Sequence, residues 1–253
     1  MKGNNRIDIQ ETESKLKEMK LYKMAEQYEN QRNDPLYFEK SFDDRFYELV
    51  SKQYDRNYNR TVERLIKDAE FKDDTADLNE INYKPERKLD KGVIESLKTN
   101  DYISKRHNII ITGATGCGKS WLSCALGKNA CQDRIHVKYY RLPELLTELE
   151  AQKMQNQYRE FLKKLLKYDL LILDDFLLVD TNQNERSNLL EIIESRVNVK
   201  STIFCSQWTP SGWHEKLGGG PLADAILDRI INSSYFIDLK GNSLREDYSK
   251  IRR

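Results

Sequence analysis

The sequence has no apolar run approaching the roughly 20 residues that a membrane-crossing helix requires. Its first residues, Met1-Lys-Gly-Asn-Asn-Arg-Ile, lack the apolar centre of a secretory signal. Both absences point to a cytoplasmic protein with no membrane partner. Cysteine is sparse: Cys117, Cys124, Cys131 and Cys205 form no C-x-x-C pair, which argues against a zinc site. They read as small buried apolar residues, although Cys117 is also placed where thiol alkylation would obstruct ligand entry. Basic and acidic residues nearly balance, at 42 and 41. A formal net charge of +1 announces no nucleic-acid partner, so such binding must come from local patches. There is no internal repeat and no low-complexity tract. The 253 residues leave room for one large domain or two modest ones.

What is present is more specific. Gly113-Ala-Thr-Gly116-Cys-Gly118-Lys119-Ser120 obeys G-x-x-x-x-G-K-[ST], the phosphate-binding loop. Glycines let backbone N–H groups turn toward phosphate oxygens where a Cβ would block the approach. A helix opening at Lys119 aims its positive dipole end at the same anion. The run Asn108-Ile-Ile-Ile-Thr112 before the loop suits a buried parallel strand, and Trp121, Leu122, Ala125, Leu126 and Ala130 after it keep helical spacing. ATP contacts are therefore expected at Gly113, Ala114, Thr115, Gly116, Cys117, Gly118, Lys119, Ser120 and Trp121. Lys119 is expected on the β- and γ-phosphates and Ser120 on Mg²⁺.

A second constellation answers the loop. Leu170-Leu-Ile-Leu173 is too apolar for a surface, so Asp174 and Asp175 emerge at a strand end. Asp174 is the expected Mg²⁺ carboxylate. Asp175 either polarises the attacking water or serves as a further carboxylate near the metal. Ser206 and Gln207 end the following strand, where one of them can sense the γ-phosphate or both can be structural. Arg229 stands late in a helix. It either reaches a neighbouring subunit's nucleotide or pairs locally with Asp224 or Asp228.

From Asn108 onward strands and helices alternate. Strands are expected at 135–140, 169–176, 201–206 and 235–239, with helices at 143–149, 157–168, 183–199 and 222–231. This predicts an α/β fold with a parallel sheet flanked by helices and ligands at the strands' carboxyl ends. Residues 1–78 read as a small all-helical N-terminal domain that binds DNA or a partner. A first amphipathic helix spans Leu16 to Tyr28, Asp34-Pro35 interrupts, and Ser41-Phe-Asp-Asp44 resembles a helix start. Farther on, Arg56, Arg60, Arg64 and Lys67 fall within about 80° on a helical wheel, opposite Val62, Leu65, Ile66 and Ala69. Such a ridge can track a DNA backbone or be an ordinary solvated face. Residues 79–104 read as a linker leading to the nucleotide-base edge, and 105–253 as the ATPase domain.

Several stretches together resemble a known family: the phosphate loop, Leu171-Ile-Leu-Asp174-Asp175-Phe176, Ser206-Gln207, Trp213-His-Glu215, Leu222-Ala-Asp-Ala-Ile-Leu-Asp-Arg229 and Gly241-Asn-Ser-Leu-Arg245. The chain is similar to the IstB-like transposition helper ATPases, AAA+ proteins related to the DnaC helicase loaders. The resemblance implies an AAA+ P-loop fold that ends without a C-terminal lid domain. It also implies a protein that binds and hydrolyses ATP with Mg²⁺, oligomerises as a ring or helical filament on duplex DNA, and delivers that DNA to a partner transposase. By position it makes Lys119, Asp174, Asp175, Ser206, Gln207 and Arg229 the catalytic set, with Arg245 a further phosphate or subunit contact. Leu177 stands where similar proteins have glycine. A DnaC-like helicase loader is the alternative. A small-molecule kinase would need an acceptor pocket and an arginine-bearing lid, neither of which the sequence offers. His214, beside Trp213, has no nucleophile or metal pattern with it and reads as a packed corner or a subunit contact.

Overall fold

Three strands rich in Ile, Leu and Phe build the centre of the molecule, because a parallel sheet covered on both faces needs apolar residues at every position. The computed structural model describes residues 9–241 and residue 243. Its sheet is parallel throughout: β1 (Asn108–Gly113), β2 (Val137–Arg141), β3 (Leu170–Asp174), β4 (Ser201–Ser206) and β5 (Ser234–Leu239), in the order β2-β3-β4-β1-β5. Alternation along each strand sends side chains to opposite faces. Ile109, Ile111, Ile172, Ile203 and Cys205 enter one apolar layer, and Ile110, Leu171, Leu173 and Phe204 enter the other.

The first layer is completed by α6 (Lys119–Gln132), α4 (Lys91–Lys98) and α5 (Asp101–Ser104). The second is completed by α7 (Leu142–Met154), α8 (Tyr158–Leu166), α9 (Gln183–Arg196), α10 (Pro210–Lys216) and α11 (Gly220–Ile231). The strand and helix positions expected from the sequence are present, with ends displaced by a few residues.

Residues 79–104 differ from a bare linker. Asp90 caps α4 through Oδ1, accepting from the N–H groups of Gly92 at 2.7 Å and Val93 at 3.3 Å. Ile94, Leu97 and Tyr102 are buried, as are Leu78 and Ile81 before them. The surrounding charges and Pro85 hide this short apolar set from a periodicity reading. By packing, the chain forms two compact units, Met1–Arg64 and Leu65–Arg253.

The first unit holds α1 (Ile9–Glu18), α2 (Tyr22–Asn33) and most of α3 (Phe42–Ala69), with a short 3₁₀ turn at Pro35–Glu39. The single helix expected over Leu16 to Tyr28 is two helices. Lys20 takes a left-handed φ of 61°, and the N–H groups of Leu21 and Lys20 return to the carbonyls of Leu16 and Lys17, the double bond pattern that closes a helix. Leu21 cannot cap α2, so Gln53 does it from α3, its Oε1 accepting from the N–H of Lys23 at 3.0 Å. Ser41 Oγ accepts from the N–H of Asp44 at 3.1 Å and opens α3 as the sequence suggested. The two helical segments expected between 42 and 67 are one helix of 28 residues.

Arg196, buried at the end of α9, knits the second unit together. Its guanidinium donates to the carbonyls of Leu165 (2.7 Å), Tyr168 (3.1 Å) and Ser201 (2.7 Å) and to Thr202 Oγ1 (3.1 Å). Leu165 lies in the last turn of α8 and Tyr168 just beyond it, where helix carbonyls run short of intrahelical partners. Burial pushes the Arg196 pKa down to about 9. Arg196→Met removes the donor shared by four acceptors and should destabilise this unit by about 3 kcal/mol. Urea unfolding followed by tryptophan fluorescence tests this: the midpoint falls with an unchanged slope, and a midpoint equal to the parent's contradicts the assignment.

Candidate functional site

The phosphate loop leaves the carboxyl end of β1 and runs into α6. Gly113 admits no side chain, since a Cβ there would lie 2.4 Å from the Leu239 carbonyl oxygen and 2.7 Å from Cys117 Sγ. Gly118, at φ 96°, is the residue before α6 and offers no capping side chain. The first N–H groups of that helix therefore face the loop's interior without side-chain acceptors, the arrangement an anion completes. Lys119 Nζ donates to the carbonyls of Gly113 (2.8 Å) and Ala114 (2.9 Å), which keeps the ammonium beside the loop. Cys117 is only 1% exposed, so the thiol expected to meet alkylating reagents is shielded.

Next to β1 in the sheet is β4, and next to β4 is β3, so three carboxyl ends lie side by side. Asp174, the last residue of β3, is 1% exposed. Its Oδ1 accepts the N–H of Asp175 at 2.9 Å, and its Oδ2 accepts the Tyr139 hydroxyl at 2.6 Å. Lys72 Nζ stands 3.5 Å from the same Oδ2. Burial, and then the carboxylate of Asp174, push the Tyr139 pKa up, so the phenol stays a donor.

Asp175 takes a left-handed φ of 52° and turns its carboxylate to Arg141, whose Nε donates at 2.8 Å. Phe176 then packs edge-on against Phe204 and Trp213, with centroids 4.9 and 4.8 Å away. Leu177 has φ 54°. Glycine adopts that conformation freely, and for leucine it costs roughly 1–2 kcal/mol. Burial of Leu177 to 1% exposure offsets the strain. The departure from the family pattern is thus accommodated within the loop.

Ser206 and Gln207, alternatives from sequence, are distinct in space. Ser206 Oγ donates to the Phe176 carbonyl (2.7 Å) and accepts from the Trp208 N–H (3.1 Å) and the Trp213 indole (2.9 Å). One donor and two acceptor positions are all a hydroxyl has. Gln207 Oε1 instead accepts from Thr115 Oγ1 of the phosphate loop at 3.1 Å. Trp213, whose place in the motif the sequence left unexplained, buttresses Ser206. His214 Nε2 lies 3.2 Å from Asp224 Oδ1.

Lys119, Ser120, Asp175, Gln207, Arg141 and Lys72 line one open cleft of about 1050 Å³, with Trp121 on its wall. Among the described residues no group of three or more His, Cys, Asp or Glu could hold a metal ion alone. The Ser120 hydroxyl and the Asp174 carboxylate are hard oxygen donors, the kind magnesium takes in small number when phosphates complete its shell. The donor chemistry fits Mg²⁺ arriving with a nucleotide.

Arg229 does not line this cleft. Its Nη1 donates to the Ala225 carbonyl at 2.9 Å, and its Nη2 pairs with Glu194 of α9 at 3.2 Å, in place of the Asp224 or Asp228 considered from spacing. On α3, Arg60, Arg64 and Lys67 are exposed, while Arg56 is half-buried over the Tyr22 ring at 4.9 Å. Arg245 lies outside the described residues.

Sequence reasoning missed Lys72, Tyr139, Arg141 and Arg87. Arg87 is buried and its Nη2 donates to the Cys117 carbonyl at 2.9 Å, bracing the phosphate loop from outside. Tyr139 and Arg141 were within reach, because pairing β2 with β3 sets Tyr139 beside Ile172 and Arg141 beside Asp174.

Comparison with known proteins agrees with this geometry. The family model described as IstB-like ATP binding protein matches residues 14–251. A Sinorhizobium fredii relative named an insertion sequence ATP-binding protein is 38% identical over 199 residues, covering 79% of this chain and 81% of the relative. A Pseudomonas fluorescens relative, named the ATP-binding protein of insertion sequence IS1162, is 37% identical over 78% of this chain and 86% of its own. Among solved structures, the DnaC helicase loader superposes with a TM-score of 0.56 at 19% identity, covering 65% of this chain and 97% of that one. AMPPCP-bound DnaA from Aquifex aeolicus gives 0.58 at 20% identity, covering 72% and 56%. These likenesses place the sheet and its helices in the AAA+ P-loop fold. With the family model spanning almost all of its length, the chain belongs to the IstB-like ATP binding protein family.

Proposed function

We propose that this protein is an ATP-driven helper of DNA transposition. It binds ATP with Mg²⁺ in the cleft, hydrolyses it, assembles on duplex DNA and delivers that DNA to a partner transposase. The observation that carries the proposal is the meeting of Lys119, Ser120, Asp175 and Gln207 in one cleft over the buried Asp174. Names of the relatives supply the insertion-sequence context.

In this mechanism the loop N–H groups and Lys119 hold the β- and γ-phosphates, with Lys119 exchanging its two loop carbonyls for phosphate oxygens. Ser120 and Asp174 would hold Mg²⁺, which supplies charge neutralisation on the transferring phosphoryl group. Asp175 orients the attacking water and takes its proton, once its carboxylate leaves Arg141. Gln207 is the γ-phosphate sensor, since the Ser206 hydroxyl is fully engaged in holding the Phe176 turn. Arg229 is partly exposed and held by the Ala225 carbonyl of its own helix and one exposed carboxylate, Glu194, so a neighbouring copy's nucleotide can recruit it. A ring or helical filament places one copy's Arg229 at the next copy's γ-phosphate. The exposed Arg60, Arg64 and Lys67, with Arg56 behind them, supply the DNA contact. A helicase-loader role draws on likeness of fold alone, and pull-down with a transposase against a replicative helicase separates the two.

Lys119→Ala should weaken ATP binding at least about tenfold, whereas Asp175→Asn should keep binding and slow hydrolysis by about 10²–10⁴. Equilibrium binding and phosphate release measure the two, and an Asp175→Asn protein with parental turnover removes Asp175 from the chemistry. Changing Arg60 and Arg64 together to Glu should weaken duplex DNA binding and reduce the slope of log K against log salt by about 2. Unaltered affinity and slope make the ridge an ordinary solvated face. Arg229→Ala should lose about 10³-fold in turnover and regain part of it when mixed with Asp175→Asn, because each copy supplies what its neighbour lacks. No recovery on mixing contradicts a site shared between copies.

A further inference from the structure

Lys72 contacts Asp174, yet it belongs to neither the phosphate loop nor the acidic strand end. It lies in the segment that follows α3, just after Glu70, whose left-handed φ of 54° turns the chain out of the helix. That segment is fastened to the nucleotide machinery at several points. Lys138 of β2 donates to the Asp68 carbonyl at 3.2 Å and pairs with Glu70 at 2.6 Å. Phe71 fills the space over Gly127 of α6, where a Cβ would meet its ring at 2.5 Å. Lys128 of α6 donates to the Asp74 carbonyl at 2.6 Å. The fastened turn delivers the Lys72 ammonium to 3.5 Å from Asp174 Oδ2. Its side chain remains 41% exposed and lines the cleft, so it has somewhere else to go.

A carboxylate 1% exposed needs compensating charge. Hydrogen bonds from Tyr139 and the Asp175 N–H supply part of it and leave one unit of charge to be matched. An ammonium and a divalent cation compete for that role at the same carboxylate.

We propose that Lys72 is a displaceable counter-ion: it holds Asp174 when the metal is absent and leaves when Mg²⁺ binds with nucleotide, loosening the segment that joins α3 to the ATPase core. The proposal rests on the nucleotide site described above and adds a regulatory role for one of its walls. Metal occupancy, rather than nucleotide alone, becomes the signal passed to residues 70–77. The same segment continues directly from the helix that carries the basic ridge.

The test uses the full chain and a fluorescent ATP analogue, titrated in EDTA and then across magnesium concentrations. Lys72→Met should lower the magnesium concentration for half-maximal effect by about three- to tenfold, with affinity in EDTA close to the parent's. Lys72→Arg should stay near the parent. If Lys72→Met weakens binding equally with and without magnesium, Lys72 is a phosphate ligand and the proposal is wrong. Hydrogen exchange on the unmodified protein gives a second reading that needs no variant. Exchange in 70–77 should rise with nucleotide plus magnesium and stay unchanged with nucleotide in EDTA; equal exchange in both overturns the displacement. Absence of nucleotide binding by the unmodified protein in either buffer overturns the site itself and this inference with it.

Discussion

A carboxylate at the dry end of a strand is the constraint around which this molecule is organised. Asp174 closes an apolar run and has almost no contact with water, so its charge must be matched by protein groups or by a ligand. Tyr139, the Asp175 N–H and Lys72 converge on it from three parts of the chain. Asp175, one residue on, is matched by Arg141. Each acid is thus next to a cation, and Lys119 is turned onto its own loop. On the proposed reading, nucleotide and metal would replace interactions that are already made, and that replacement would carry binding energy to distant segments.

The sheet makes this arrangement possible. Register sets Thr112 beside Ser206 and Arg141 beside Asp174, so the reactive ends of four strands are level. Two apolar layers fix those strands from both faces. Turns beyond the strands are then held by side chains spent wholly on structure. Ser206 and Trp213 secure the Phe176 turn that aims Asp175, while Arg87 secures the outer side of the phosphate loop.

Much of the core was legible in the amino-acid sequence, because the relevant signals are local. Three consecutive isoleucines, a glycine-spaced loop and Leu170-Leu-Ile-Leu before two aspartates each declare their element within a few residues. Features that escaped depend on pairing across the chain. Lys72 and Asp174 are 102 positions apart, and nothing local to Lys72 distinguishes it from neighbouring surface charges. Saturation of Ser206 becomes visible only when Trp213 is folded back onto it. The break at Lys20 uses a lysine in a left-handed turn, where glycine would have marked it in the sequence. Ile94, Leu97 and Tyr102 were hidden by the charged residues between them.

On the proposed reading, the loop at Lys119 and the acid at Asp174 jointly hold one magnesium nucleotide per chain. Titration calorimetry of ATP into the well-folded protein, with magnesium and with EDTA, tests it most directly. The account predicts saturable heat at one nucleotide per chain, with tighter binding when magnesium is present. No heat of binding in magnesium from protein whose circular dichroism shows it folded contradicts the account.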